Sequence, residues 1–437
     1  MWYNPSGFGA WLSLVERSFR VREVGSSNLP APMSSSFPSS RQEISILLSA
    51  RLSAFALLLP FLTAASTLSL KAAPVRVLLT AFGSPEGVVA SAGALETSSD
   101  GRRWTPAPGG SAALCPPGQA LTAPLLLRSR DGTVTLTRGN LSRTYRGVIE
   151  VVPGPSPAIV NSVELEDYLR SVVPSEMPRS WPLEALKAQA VAARSYALGS
   201  GSRHRAQKAD LCDSTHCQVY RGTSAESAPT DLAVAETRGL VLVQRGRILP
   251  AQFCADCGGM PAPAAGGDPA PPKPDASEDG THFCEQAPSH RWSARISQRA
   301  LLEALGEQRQ GAVRRVRIEA RDASGRITAI TIEHDFGTVS LNGAGLRSRL
   351  APAGIRSALC RFEADPETGD LIVSGLGHGH GAGLCQWGAR GRALPPWNQD
   401  FRTILQHYYP GATLEAIGEA PGGAADSASL SGSRPAP

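Results

Sequence analysis

Pro182-Leu183-Glu184-Ala185-Leu186-Lys187-Ala188-Gln189-Ala190-Val191-Ala192-Ala193-Arg194-Ser195-Tyr196-Ala197 is the stretch that decides the fold. Proline suits the first position of a helix, because its missing N–H is one of the donors a helix start leaves unpaired anyway. From there Leu183, Leu186, Ala190, Ala193 and Ala197 recur at helical spacing, which predicts one helix with an apolar stripe. Because the stripe is mostly alanine, another element is expected to approach it closely. Lys187 and Arg194 flank the stripe, and Ser195 falls off it.

On the N-terminal side, residues 66–155 read as β-rich. Residues 75–80 form a short apolar run, residues 125–128 and 134–136 flank the hairpin signal Asp131-Gly132, and residues 145–152 are a further strand. The helical stretch lies in the first part of a core, residues 156–258. Residues 259–285 then run through Pro269-Ala270-Pro271-Pro272-Lys273-Pro274 and are expected to be a low-complexity linker, since nothing there offers a face to bury. Residues 286–370 read as an inserted small unit, with a helix at 299–305 and a hairpin of 313–320 and 326–333 around Ser324-Gly325. Residues 371–416 complete the core, and residues 417–437 are a polar tail expected to be disordered. The fold class is therefore α+β: a β-rich region plus a helix-containing core that carries an inserted α+β subdomain.

The whole chain has 437 residues, 42% hydrophobic and 19% charged, enough for two or three domains and too apolar for a wholly disordered chain. No apolar run reaches the ~18–20 residues of a spanning helix, which excludes a polytopic membrane protein. A net charge of +5 is too mild to point to nucleic acid. The 44 glycines and 35 prolines predict many turns and short strands.

Arg41 and Arg51 precede the apolar residues 52–65, which end on Thr63-Ala64-Ala65. That is the order of a signal peptide, assigned to residues 33–65. A membrane anchor is the alternative if Arg51 snorkels. Either way the protein is expected in the periplasm or cell envelope. Met33-Ser34-Ser35-Ser36 makes a normal start, and residues 25–30 back-translate to a stem and loop like the T-arm of a transfer RNA gene. Residues 1–32 are accordingly expected to be a mis-called start.

Glu176 lies between Pro174 and Pro178, so it is not expected inside a regular helix; a rigid turn there can aim a carboxylate into a cleft. In Gly377-His378-Gly379-His380-Gly381-Ala382-Gly383 every second residue is glycine, and His378 and His380 share a side if the backbone is extended. Cys212, His216 and Cys217 are zinc-type ligands, and Cys254 and Cys257 form C-x-x-C. For eight exported cysteines disulfides are the stronger expectation and zinc the alternative.

In order along the chain, Tyr145-Arg146-Gly147, Leu165-Glu166-Asp167-Tyr168-Leu169, Ser175-Glu176-Met177-Pro178, residues 186–194, Cys217-Gln218-Val219-Tyr220, the Gly-His-Gly stretch with Gln386 and Gly388-Ala389, and Tyr408-Tyr409-Pro410-Gly411 resemble the stage II sporulation protein D family. The resemblance implies a lytic transglycosylase acting on peptidoglycan glycan strands stripped of stem peptides, with Glu176 as the catalytic acid and no cofactor. It implies Arg194, Gln218, Tyr220, His380 and Gln386 as sugar-binding or orienting residues. Gly258 and Gly259 correspond to a Ser-Gly-Gly motif whose serine is here Cys257, and Cys385 replaces a common serine. These departures suggest a Cys257 disulfide with Cys284 or Cys385. A non-catalytic peptidoglycan-binding enhancer of a cell-wall amidase is the alternative, and a zinc hydrolase built on Cys212, His216 and Cys217 a third. Glu166 is either a second carboxylate or a helix-start residue.

Overall fold

The predicted helix exists, and it is enclosed on all sides. In this computed structural model, which describes residues 73–115, 121–201, 203–263 and 273–417, the described residues form seven α-helices. They are α1 (Leu165–Glu176), α2 (Leu183–Gly199), α3 (Ala228–Glu236), α4 (Gln298–Ala304), α5 (Gly343–Leu350), α6 (Gln386–Ala393) and α7 (Phe401–Tyr408). The expected start at 1–32, the leader at 33–65 and the tail beyond Ile417 lie outside the described residues. None of these helices is long and apolar enough to cross a membrane.

From Ala185 to Ala197 every residue of α2 except Lys187 is buried. A helix apolar on one stripe would need one neighbour; α2 instead touches α1, α3, α6, α7 and the strand Leu240–Gln244. Alanine makes this possible, because side chains of one carbon let several backbones approach the same axis. Pro182 stands one place earlier than predicted, as the cap residue with φ −53° and ψ 138°.

The start of α1 is closed by Glu164, whose carboxylate accepts from the Glu166 and Asp167 N–H groups. Pro174 sits inside its last turns and removes one helical donor. The helix nevertheless continues, with Met177 N–H donating to Val173 O at 2.9 Å and Ser175 Oγ donating to Ser171 O at 2.8 Å. Glu176 is thus the last helical residue, contrary to expectation, and the chain turns extended at Met177 ahead of Pro178.

Ahead of α1, the β-rich region forms two sheets over one core. The larger has seven strands, in the order Leu211–Cys212, Val75–Leu78, Ala158–Val163, Val148–Val152, Leu125–Ser129, Leu95–Ser98 and Thr105–Pro106. The smaller pairs Ser111–Ala113, Val89–Ser91, Thr133–Arg138 and Leu141–Arg146. Asp131-Gly132 is therefore a corner between sheets, not the expected hairpin. The hairpin lies one strand later, where Arg138 pairs with Leu141 across Gly139-Asn140. The predicted strand at 145–152 is likewise two strands, broken at Gly147. Gly147 has φ +79°, and a Cβ there would stand 2.3 Å from Ser162 O, so only glycine lets the chain change sheets at this point.

The inserted unit has its own core, including Trp292, Ile296, Leu301, Ile330, Ile332, Leu346, Leu350 and Val373. One of its sheets is Arg291–Ile296, Leu371–Leu376 and Cys360–Ala364, with Leu371–Leu376 in the middle. The unit thus extends past the expected boundary at 370 to Leu376. The neighbouring stretch expected to be a linker is packed in part: Asp275 is fully buried and ion-paired to Arg392 at 3.0 Å. After the insert the chain returns to the main core, and Thr413–Ala416 pairs antiparallel with Leu240–Gln244.

Candidate functional site

Glu176 leaves the end of α1 half-buried, with each carboxylate oxygen held from a different segment. Oε1 accepts from Val219 N–H at 2.9 Å, and Oε2 faces the Gln386 Nε2 donor at 3.5 Å. Burial pushes this carboxyl above its ordinary pKa; the Val219 N–H, the Gln386 amide and the Arg221 charge pull the other way without cancelling it. A carboxyl poised in this manner can hold a proton and then release it to a bound group.

Gln386 opens α6 and is buried, and its Nε2 also lies 3.4 Å from Gln189 Oε1. Gln189, fully buried, leaves its own Nε2 without a hydrogen-bond partner. The sequence reading passed over Gln189, although a glutamine in the middle of an alanine-rich helix is the kind of buried polar group that calls for an explanation. It also passed over an aromatic pair that includes the residue after Gln386. Trp181 and Trp387, both half-buried, meet edge-to-face at 4.9 Å, and the Arg390 guanidinium lies 5.2 Å from the Trp387 ring.

Other expected sugar-binding residues are core residues. Gln218 is fully buried; its Oε1 accepts from Tyr168 OH at 3.0 Å and its Nε2 donates to Ala193 O at 3.3 Å. Tyr220 is buried and donates to Asn161 Oδ1 at 2.7 Å. Arg194 is fully buried in a two-pronged pair with Glu166, at 2.8 and 2.7 Å, and donates further to Leu240 O at 3.2 Å. This pair removes Glu166 as a second catalytic carboxylate. Each of these side chains has its polar atoms occupied within the protein, so none is free to read a ligand.

The glycine-rich stretch is also a packing device. Its glycines take positive φ, so the stretch is not extended, and the two histidines do not share a face in the manner of a strand. At Gly383, φ is +70° and an added Cβ would stand 1.8 Å from Gln252 O. Gly383→Ala is expected to cost about 1–3 kcal/mol or more, visible as a fall in the urea midpoint; an unchanged midpoint contradicts this account. Gly258 and Gly259 are buried against Leu376 and His282. His378 is exposed. His380 is half-buried, its Nδ1 accepts from Ala382 N–H at 3.0 Å, and burial with Arg347 nearby pushes its pKa down to about 4, so it is neutral at pH 7. It has no hydrogen bond to Glu176 among the described residues. Of the residues expected to surround Glu176, the structure brings Gln386 to it.

Cys257, Cys284 and Cys385 are free thiols, as are Cys212, Cys217, Cys254 and Cys360, so the expected Cys257 disulfide is not formed. Cys212, His216 and Cys217 do converge, and His204, which the sequence reading left out, joins them. The four ligand atoms lie within 4.8 Å of one another, with Cys217 Sγ 3.5 Å from His204 Nε2 and 3.4 Å from His216 Nδ1. The two thiols share a proton: the Cys217 thiol pulls the Cys212 pKa down, and Cys212 in turn pushes Cys217 up, so one of the pair is held as thiolate. Two thiols and two imidazoles at this separation match a tetrahedral zinc site.

The chain is similar in sequence to known proteins. A family model described as "Stage II sporulation protein" matches residues 155–244, which hold α1, α2 and Glu176, and a second, described as a domain of unknown function, matches residues 278–383 across the insert. The stage II sporulation protein D of Bacillus subtilis is 31% identical over 274 residues, covering 58% of this chain and 75% of that protein. An uncharacterized protein of Brachyspira hyodysenteriae is 30% identical over 284 residues, 62% of this chain and 72% of its own length. The amidase enhancer of Bacillus subtilis is 29% identical over 56% of this chain but only 40% of its own length. With three quarters of the Bacillus subtilis sporulation protein aligned, the chain belongs to the stage II sporulation protein D family.

Proposed function

We propose that this protein is a lytic transglycosylase that cuts peptidoglycan glycan strands in cell-wall remodelling, with Glu176 as its single acid and base. It is proposed to act outside the cytoplasm, in the periplasm or cell envelope. The observation that carries the reading is a half-buried carboxyl of raised pKa, gripped by Val219 N–H and facing the Gln386 amide, with no second carboxylate hydrogen-bonded to it among the described residues. Ordinary glycosidases use two carboxylates, one of them for water or for covalent attack. One carboxyl suffices if the sugar's own 6-hydroxyl attacks. Protonated Glu176 gives its proton to the glycosidic oxygen, and the carboxylate then takes the proton of the 6-hydroxyl as the 1,6-anhydro ring closes. Intramolecular attack supplies the positioning that an activated water would otherwise need.

Val219 fixes the direction of Oε1, and Gln386 is suited to stabilise the carboxylate that appears once the proton has left. The Trp181–Trp387 pair offers an aromatic face on which a sugar ring can lie. Gln386→Ala is expected to lower kcat about 10-fold with little change in KM, the effect of losing one weak hydrogen bond to a charged group. A fall confined to KM would assign Gln386 to ground-state binding instead.

His204, Cys212, His216 and Cys217 are proposed to hold zinc as a structural ion; when bound, it would tie the loop after α2 to the edge strand Leu211–Cys212. Digestion of stem-peptide-free glycan strands, followed by mass spectrometry, tests the activity. Anhydro-muramyl ends support it, and reducing ends produced by hydrolysis contradict it. Glycan binding without cleavage, together with stimulation of a cell-wall amidase, would favour the role named in the amidase enhancer relative.

A further inference from the structure

Four other ligand-type groups converge where the insert joins the core. Asp256, Cys257, Cys284 and Cys385 are each 1% exposed or less, and their ligand atoms lie within 4.8 Å of one another. They come from three separate parts of the chain: the turn after the strand Phe253–Cys254, the segment before the insert, and the strand Leu384–Cys385 that leads into α6. Cys257 Sγ and Cys284 Sγ are 3.8 Å apart. That is the edge of a tetrahedron whose centre lies ~2.3 Å from each sulfur, the zinc–thiolate distance. It is far from the ~2.05 Å of a disulfide.

The surroundings are those of a ligand set. Cys385 Sγ accepts two main-chain N–H bonds, from Cys257 at 3.2 Å and Gly388 at 3.3 Å, the second from the first turn of α6. Both favour the thiolate. Asp256 is oriented by Gly258 N–H at 2.8 Å and by His290 Nδ1 at 3.1 Å, and His290 in turn meets His282 at 3.0 Å. Such an outer layer of hydrogen bonds holds metal ligands in place. The Arg326 guanidinium donates to Cys257 O at 2.6 Å, which brings positive charge next to the sulfur-rich group. A Cys257–Cys284 bond would leave Cys385 with two N–H donors aimed at its sulfur, which suits a thiolate ligand.

We infer that Asp256, Cys257, Cys284 and Cys385 form a second, buried zinc site that fastens the insert to the core beneath the Gln386 helix. On binding, the ion displaces the protons of the three thiols to solvent; no electrons are transferred. Cys257, whose thiol donates to Asp275 Oδ2 at 3.4 Å, gives up that bond, and Asp275 keeps Tyr408 OH and Arg392.

The full chain carrying Cys212→Ser and His216→Ala, purified from zinc-supplemented medium, isolates this site. We expect one zinc per chain by elemental analysis, with an X-ray absorption spectrum of three sulfur and one oxygen neighbour. A variant that retains no zinc, or whose zinc lacks sulfur neighbours, overturns the inference. Because that variant can fail to fold, the wild type gives a second reading. In native protein, Cys257, Cys284 and Cys385 should resist iodoacetamide until a chelator removes the metal, with alkylation then rising at least 10-fold. A Cys257–Cys284 disulfide in the peptide map, or protection that a chelator leaves unchanged, overturns it as well.

Discussion

Glu176→Gln is expected to lower formation of anhydro-muramyl ends by about 10²–10⁴-fold, the range for loss of a general acid, while the folded protein becomes more stable at neutral pH. The two effects have one cause. Burial raises the pKa of Glu176, so the folded state favours the protonated form more than the unfolded chain does. A carboxyl shifted in this direction contributes stability that is fully present below its unfolded pKa and is lost as pH rises through the folded one. At pH 7 the wild type carries the cost of a partly buried charge, and glutamine does not. Thermal unfolding should therefore show a Tm gain of ~2–4 °C for the variant at pH 7 that closes as the pH falls to about 4. Activity of the wild type should fall along the same alkaline limb, because the proton needed for the leaving oxygen is lost. Anhydro ends at wild-type rates from Glu176→Gln would end the assignment. Equal stabilities at pH 7 would mean that the carboxylate is better solvated than its surroundings indicate.

Arg194→Met is expected to destabilise the protein by about 3–5 kcal/mol, because it leaves the Glu166 carboxylate charged and buried with no cation and only the Gly239 N–H at 3.4 Å. Arg194 is fully buried, and the Glu166 side chain is 11% exposed, so solvent can relieve little of the penalty. Replacing both partners, in Arg194→Met/Glu166→Leu, should recover most of the loss, since the cost lies in the orphaned charge more than in the missing attraction. Urea unfolding of the single and double variants measures both. If Arg194 bound sugar instead, the single variant would keep its urea midpoint and raise KM, and the double variant would recover nothing.

The sequence made the local features legible and the long-range ones hard to read. The helix after Pro182 follows from the spacing of Leu183, Leu186 and the alanines, but its envelopment depends on neighbours as far as Phe401, 217 positions from Glu184, that no local period records. Glu176 was identifiable as the candidate acid through the motif around it. Its place on a helix was not, because Pro174 was read as a breaker, whereas a late helical proline removes only one donor. Arg194, Gln218 and Tyr220 look like binding residues by type, since long polar side chains suit both ligands and buried networks. Only their partners distinguish the two roles, and here the partners are Glu166, Tyr168 and Asn161. His204 escaped notice because it lies eight residues before Cys212, on the far side of a turn. Cys257, Cys284 and Cys385 were brought together by the resemblance, but as a disulfide pairing; that Asp256 completes a four-ligand group was not legible.

The contact between Glu176 and Gln386 joins residues 210 positions apart in the chain. Its second consequence lies in time. A ribosome delivers α1, with its carboxyl, long before it delivers the segment that faces it, and the closing strand Thr413–Ala416 comes later still. Closing a loop of that length carries an entropy cost that a partly made chain has no contacts to offset. A polypeptide still in synthesis therefore carries the Glu176 carboxyl without the Gln386 amide that faces it, and the candidate site is complete only once the far end has arrived.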